Sequence, residues 1–155
     1  MPHPSHRFIG VLGVLVGLIV VTAAAPVTKP AVNTGDSGEL AIKGYDVVAY
    51  FSAGAPARGD ARFVHRWSEA TWQFASAKNR ALFARNPEKY APQFGGYCAW
   101  AVSRGYTADI DPEAFRIVDG KLYLIYSTAV ERRWEQDIPG NIARAQTNWP
   151  AVLSK

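Results

Sequence analysis

An uninterrupted apolar run, Phe8 to Val21, decides how much of this chain can fold in water. Arg7 precedes it, with His3 and His6 nearby, and Thr22-Ala23-Ala24-Ala25 follows. A basic start, an apolar centre and a small-residue end are the parts of a secretory signal. Proline directly after a scissile bond is unfavourable, so cleavage is expected after Ala24, giving a signal over residues 1–24. The rival reading is an uncleaved anchor, since Phe8 to Ala25 reaches the ~18 uncharged residues at which a spanning helix becomes feasible. Either way the remainder is expected to be extracytoplasmic, periplasmic or secreted. Contact with a membrane is then expected only through an uncleaved N-terminal segment. No cysteine follows the run, which excludes a lipoprotein anchor. Val27 to Gly38 is rich in Thr, Lys, Pro, Asn, Gly, Asp and Ser, so residues 25–39 read as a flexible linker. One domain is expected over residues 40–150, with a tail at 151–155.

The composition suits that single domain. Of 155 residues, 48% are apolar and 12% aromatic, which excludes wholesale disorder. No fixed repeat is visible, so a solenoid is not expected. The formal charge is +4, and it becomes +3 when Arg7 leaves with the signal. Lys and Arg are scattered among Asp and Glu with no aromatic-interleaved basic block, so a nucleic-acid partner is not expected. Cys98 is the sole cysteine and Met1 the sole methionine. Neither an intramolecular disulfide, a multi-cysteine zinc site nor a methionine-rich cuprous site can be built from them.

Within the domain, Asp46 to Phe51 reads as a strand or extended segment between Gly44 and Gly54. Phe63 to Trp67 alternates, with Phe63, His65 and Trp67 on one face, and Thr71 to Phe74 pairs with it across Ser68-Glu69-Ala70. Ser76 is a good N-cap for a helix over 77–85, with Pro87 beyond its end. Asp119-Gly120 predicts a tight hairpin joining Phe115–Val118 to Lys121–Tyr126. Leu122, Leu124 and Tyr126 oppose Tyr123 and Ile125 in that second strand, so both its faces are apolar and it is expected inside its sheet. Thr128 with Glu131 suggests a capping box. Pro139 suits the first turn of a last helix whose buried stripe is Ile142, Ala145 and Trp149. Strands and helices come in groups, which predicts an α+β fold of small antiparallel hairpins packed with short helices.

Several runs together resemble the YHS-domain family, specifically its exported, stand-alone branch. They are Gly44-Tyr45-Asp46-Val47-Val48-Ala49-Tyr50-Phe51, Thr71-Trp72-Gln73-Phe74-Ala75-Ser76-Ala77-Lys78-Asn79-Arg80, Asn86-Pro87-Glu88-Lys89-Tyr90 and Gly95-Gly96-Tyr97-Cys98-Ala99. Asp111-Pro112-Glu113-Ala114-Phe115, Ile117 to Leu124, Trp134 to Ile142 and Asn148-Trp149-Pro150 also fit that branch. The resemblance implies a small hairpin followed by a helix, a treble-clef-like core with a C-terminal hairpin and two helices added. Metal-binding relatives carry cysteine where this chain has Ala49, Ala75 and Asn79, so a thiolate cage of the family type is not implied here. The position of Cys98 lies in a motif in which some members of the branch are described as selenoproteins.

Three functions stay open on the sequence. The first is an exported, non-enzymatic binding module for a small ligand or a copper-like or other soft metal ion, with no cofactor as the equal alternative. Its pocket would contain Cys98, with Tyr97, Trp100, His65 and Asn79 around it. Cys98 follows Gly95-Gly96 and opens a helix, where unpaired N–H groups and the helix dipole favour a thiolate. A bland reading makes it a small buried hydrophobe. His65, the sole histidine beyond the signal, either packs in the core or joins Cys98 as a second metal ligand or as its base. Asn79 shares a helical face with Ser76 and Phe83 and should close the former metal position with hydrogen bonds. The second function is a single-thiol redox protein working through a sulfenic acid at Cys98. The third is a metal-free scaffold with an exported protein partner. Trp72, Phe74, Tyr90 and Phe94 are expected in the core, and Arg132 and Arg133 on a solvated helix face. Pro112, and the lack of a glycine where a calcium loop needs one, exclude such a loop at Asp109, Asp111 and Glu113.

Overall fold

Asp46 sets the conformation of the first α-helix against the β propensity of its neighbours. The computed structural model describes residues 28–155, so the expected signal lies outside the described residues. The Asp46 carboxylate accepts from the N–H groups of Val48 (2.9 Å) and Ala49 (3.3 Å), and the chain turns into helix α1 (Val47–Ser52). The extended segment expected at 46–51 is therefore a helix. A side-chain acceptor that satisfies the first free N–H groups outweighs two β-branched valines.

Strands β1 (Asp60–Trp67) and β2 (Ala70–Phe74) form an antiparallel hairpin with His65 opposite Trp72. Ser68 and Glu69 both take positive φ, the two-residue turn whose twist suits a hairpin. Phe63, His65 and Trp67 face inward, as their alternation predicts. Helix α2 (Ala77–Arg85) starts where expected, with Ser76 Oγ accepting from Asn79 N. A single turn, α3 (Pro87–Tyr90), and α4 (Ala99–Ser103) lead to the second hairpin, β3 (Asp111–Val118) and β4 (Lys121–Ile125). Asp119 and Gly120 make its turn, again both with positive φ. Helices α5 (Thr128–Trp134) and α6 (Ile138–Asn148) complete the chain, which is α+β as expected.

Two aromatic-centred layers meet in one core. Phe83 on α2 contacts the rings of Trp72, Phe74 and Trp67, while Trp134 on α5 stacks on Tyr123 of β4. Trp72, Phe74, Tyr90 and Phe94 are all buried, and Arg132 and Arg133 are exposed.

Four local expectations need correction. β4 is not interior to a sheet, because its sheet has two strands. Its residues Leu122 to Ile125 are buried by helices and the turn at Gln93–Gly96, which cover it in place of further strands. Ser127, not Thr128, caps α5 by accepting from Val130 N, and Glu131 turns instead to Arg116. Along α6 the fully buried positions are Asn141 and Ala145, with Ile142 and Trp149 half-buried. Finally, the described part of the linker is docked. Val32, Asn33 and Thr34 are buried, Asn33 N donates to Gly95 O (2.8 Å), and Lys29 N donates to Leu153 O (2.8 Å). The tail is held by the same contact, and Val152 within it is fully buried. Polar composition misled here because Asn33 satisfies its polar atoms inside the fold, on Gly96 O and Asp109.

Candidate functional site

Asn79 and Asp46 belong to one polar cluster at the start of α1 and α2. Asp46 is fully buried. Its Oδ1 accepts from Val48 N and Ala49 N; its Oδ2 accepts from Ala75 N (2.8 Å) and Asn79 Nδ2 (2.7 Å). Four donors saturate one carboxylate, which is how an interior can hold such a group without a cation. Ala49, Ala75 and Asn79, on three different segments, all donate to this one side chain. Asn79 hydrogen-bonds as an amide, and its partner Asp46 is the residue that sequence reasoning missed. An Asp immediately before an apolar helix start was the available signal, obscured by the strand-like Val47-Val48 pair.

Cys98 caps α4 as expected, but its environment is the reverse of an activating one. The residue is 1% exposed, and the thiol is free. Sγ accepts from Tyr126 N at 3.3 Å, and Cys98 N donates to Ala108 O at 3.0 Å. Burial pushes the thiol above its ordinary value; the N–H groups of Ala101, Tyr126 and Trp100 offset this only in part. A primed, solvent-reachable thiolate is therefore not what the fold builds.

The other expected partners have bonds and ring contacts of their own. His65 lies on β1, its ring edge-on to Phe83 at 6.0 Å between centroids, and its ring contacts share no residue with the bonds of Cys98. Trp100 is half-buried beneath the Arg104 guanidinium, 4.1 Å from its ring centroid. Tyr97 points away toward the docked N-terminal segment, donating from its hydroxyl to Pro30 O (3.0 Å). Among the described residues no three His, Cys, Asp or Glu side chains come together in a way that could hold a metal ion.

Two open clefts lie along that N-terminal segment, and Cys98 lines neither. One of about 620 Å³ runs between residues 28–34, the β1–β2 turn and Leu153. A smaller one of about 290 Å³ is bounded by Asn33, Tyr97, Thr107 and Asp109. Burial raises Asp109, but hydrogen bonds from Lys43, Ile110 N and Asn33 outweigh it and hold this carboxyl below its ordinary value. No helix among the described residues is long and apolar enough to cross a membrane. Set against family models, curated proteins and solved structures, the chain finds no match.

Proposed function

We propose that this chain is an exported, non-catalytic YHS-like module in which a hydrogen-bonded carboxylate replaces the metal cage of metal-binding relatives. The saturated Asp46 carboxylate carries this reading. Its four donors leave no lone-pair direction for a cation, and the surrounding positions supply an alanine N–H, a second alanine N–H and an amide rather than thiolates. The β1–β2 hairpin followed by α2 has the order the family resemblance implies. Burial of Cys98 favours a scaffold over redox chemistry, since a sulfenic acid needs both a thiolate and a path for the oxidant. Native mass spectrometry of the purified chain with cuprous, cupric and zinc ions tests the reading. The expected result is no stoichiometric binding; one tightly held ion that is lost in Cys98→Ser would overturn it.

A second reading keeps ligand binding but moves it from Cys98 to the smaller cleft. Tyr97, Asn33, Thr107 and Asp109 there offer an aromatic wall and polar groups at one concave surface. A small polar ligand is the class that fits. Chemical-shift mapping with a set of small polar fragments should move residues 33–35 and 107–109 together. Shifts confined to Cys98 and Tyr126 would return the site to the thiol.

A further inference from the structure

The two hairpins are preceded and followed by the same local events, in the same order. Ala41–Gly44 and Gln93–Gly96 each contain consecutive left-handed residues, Ile42 (φ 51°, ψ 41°) and Lys43 (φ 54°, ψ 22°) in one, Phe94 (φ 55°, ψ 41°) and Gly95 (φ 61°, ψ 12°) in the other. Each turn ends on a positive-φ glycine, Gly44 or Gly96, followed by an extended tyrosine, Tyr45 or Tyr97. The tyrosine N–H returns to the turn in both, Tyr45 to Ile42 O and Tyr97 to Phe94 O. The next residue is a helix N-cap in both cases, Asp46 for α1 and Cys98 for α4. Its N–H reaches forward to an alanine carbonyl, Ala57 for Asp46 and Ala108 for Cys98.

The correspondence continues through the hairpins one residue closer in sequence, because α4 is one residue shorter than α1. The register shift between Asp60 and Val64 reappears between Asp111 and Phe115. Asp60 and Asp111 each accept from the N–H two residues on. Ser68-Glu69 matches Asp119-Gly120, Ser76 matches Ser127 as N-cap, and Phe83 on Trp72 matches Trp134 on Tyr123. A chance likeness of two hairpins would not reproduce the left-handed turn, the bulge and the caps together. We infer that residues 41–83 and 93–134 are two copies of one folding unit, and that Cys98 occupies the place of Asp46. In each copy this N-cap side chain accepts from the residue just past the second strand, and Asp46 alone also bonds to its own helix start. Asp46 takes the N–H of Ala75; Cys98 takes the N–H of Tyr126, the corresponding residue.

The thiol is then an acceptor at the place that its sister copy fills with a carboxylate. This does not depend on the metal-free reading, and the two fail separately. Residue-resolved hydrogen exchange on the full chain and on Cys98→Val and Cys98→Asp tests it. In the unaltered chain the Tyr126 amide should be protected to the same order as that of Ala75. Cys98→Val, which keeps bulk and loses the acceptor, should speed exchange at Tyr126 at least about tenfold and leave Ala75 unchanged. Cys98→Asp should restore the protection. Fast exchange at Tyr126 in the unaltered chain, or full protection in Cys98→Val, overturns the equivalence. So does a Cys98→Asp chain that folds but leaves Tyr126 unprotected. Should Cys98→Asp fail to fold, the first two measurements decide alone.

Discussion

Asp46, Asn79 and Cys98 differ in what their loss would leave behind. Asp46→Ala strands the buried Val48 and Ala49 N–H groups and removes the acceptor of the more accessible Ala75 N–H and Asn79 amide, so unfolding in urea should show a loss of ~3 kcal/mol. Asn79→Ala removes one donor and leaves the carboxylate with three, for a smaller loss of about 1–2 kcal/mol. If the two losses were equal, the carboxylate would not be the centre of the cluster. Cys98 should be silent to a disulfide reagent such as DTNB in the native state and react once urea unfolds the chain. Its titration also sets a sign. The Cys98 thiol and the Tyr50, Tyr97 and Tyr123 phenols are all raised, chiefly by burial, so the unfolded chain gives up these protons first. Stability from these groups is full below the ordinary thiol value, about 8.5, and declines as pH rises above it toward the folded values. The urea midpoint should therefore fall on the alkaline side, and Cys98→Ser should lessen the earliest part of that fall.

At the scale of elements, the turn Gln93–Gly96 and the N-terminal segment hold each other. A Cβ on Gly95 would run into Ala31 O, and one on Gly96 into the Ile42 side chain. Gly95→Ala should cost ~2 kcal/mol, from the left-handed φ together with displacement of the segment. Asn33→Ala removes the side-chain bonds to Gly96 O and Asp109, and hydrogen exchange should then rise at 29–35 before it rises in either hairpin. Equal acceleration everywhere would mean that this segment is part of the global unfolding unit. The caps at Ser76 and the turn at Asp119-Gly120 were legible because each depends on chemistry within four residues of itself. The docked segment was not, because Asn33, Pro30 and Lys29 bond to residues more than sixty positions away.

For the whole molecule, the docking of Lys29 against Leu153 limits how far the folded part can stand from whatever precedes it. Only Ala25 to Thr28 lie between the expected cleavage point and the first docked amide. On the proposed export, N-terminal sequencing of the mature protein should begin at Ala25; a membrane-bound product that retains Met1 or Pro2 would make the apolar run an anchor. The same scale explains why the candidate site could be guessed only in part. That Asn79 shares a helical face with Ser76 and Phe83 followed from helical spacing, whereas the identity of its partner required α1, β2 and α2 to converge.

The amino-acid sequence by itself determined the local units: both hairpin turns, the Ser76 cap, the helix opening at Cys98 and the apolar residues that fill the core. Those depend on backbone preferences and on side chains within a turn of one another. Only the tertiary structure decided that Asp46 is buried with four donors, that Cys98 is sealed away from solvent, and that one arrangement occurs twice. Burial and donor geometry come from segments distant in the chain, and a shared backbone path tolerates exchanges such as Asp46 for Cys98 or Phe83 for Trp134, which erase the likeness from the sequence while the hydrogen bonds preserve it.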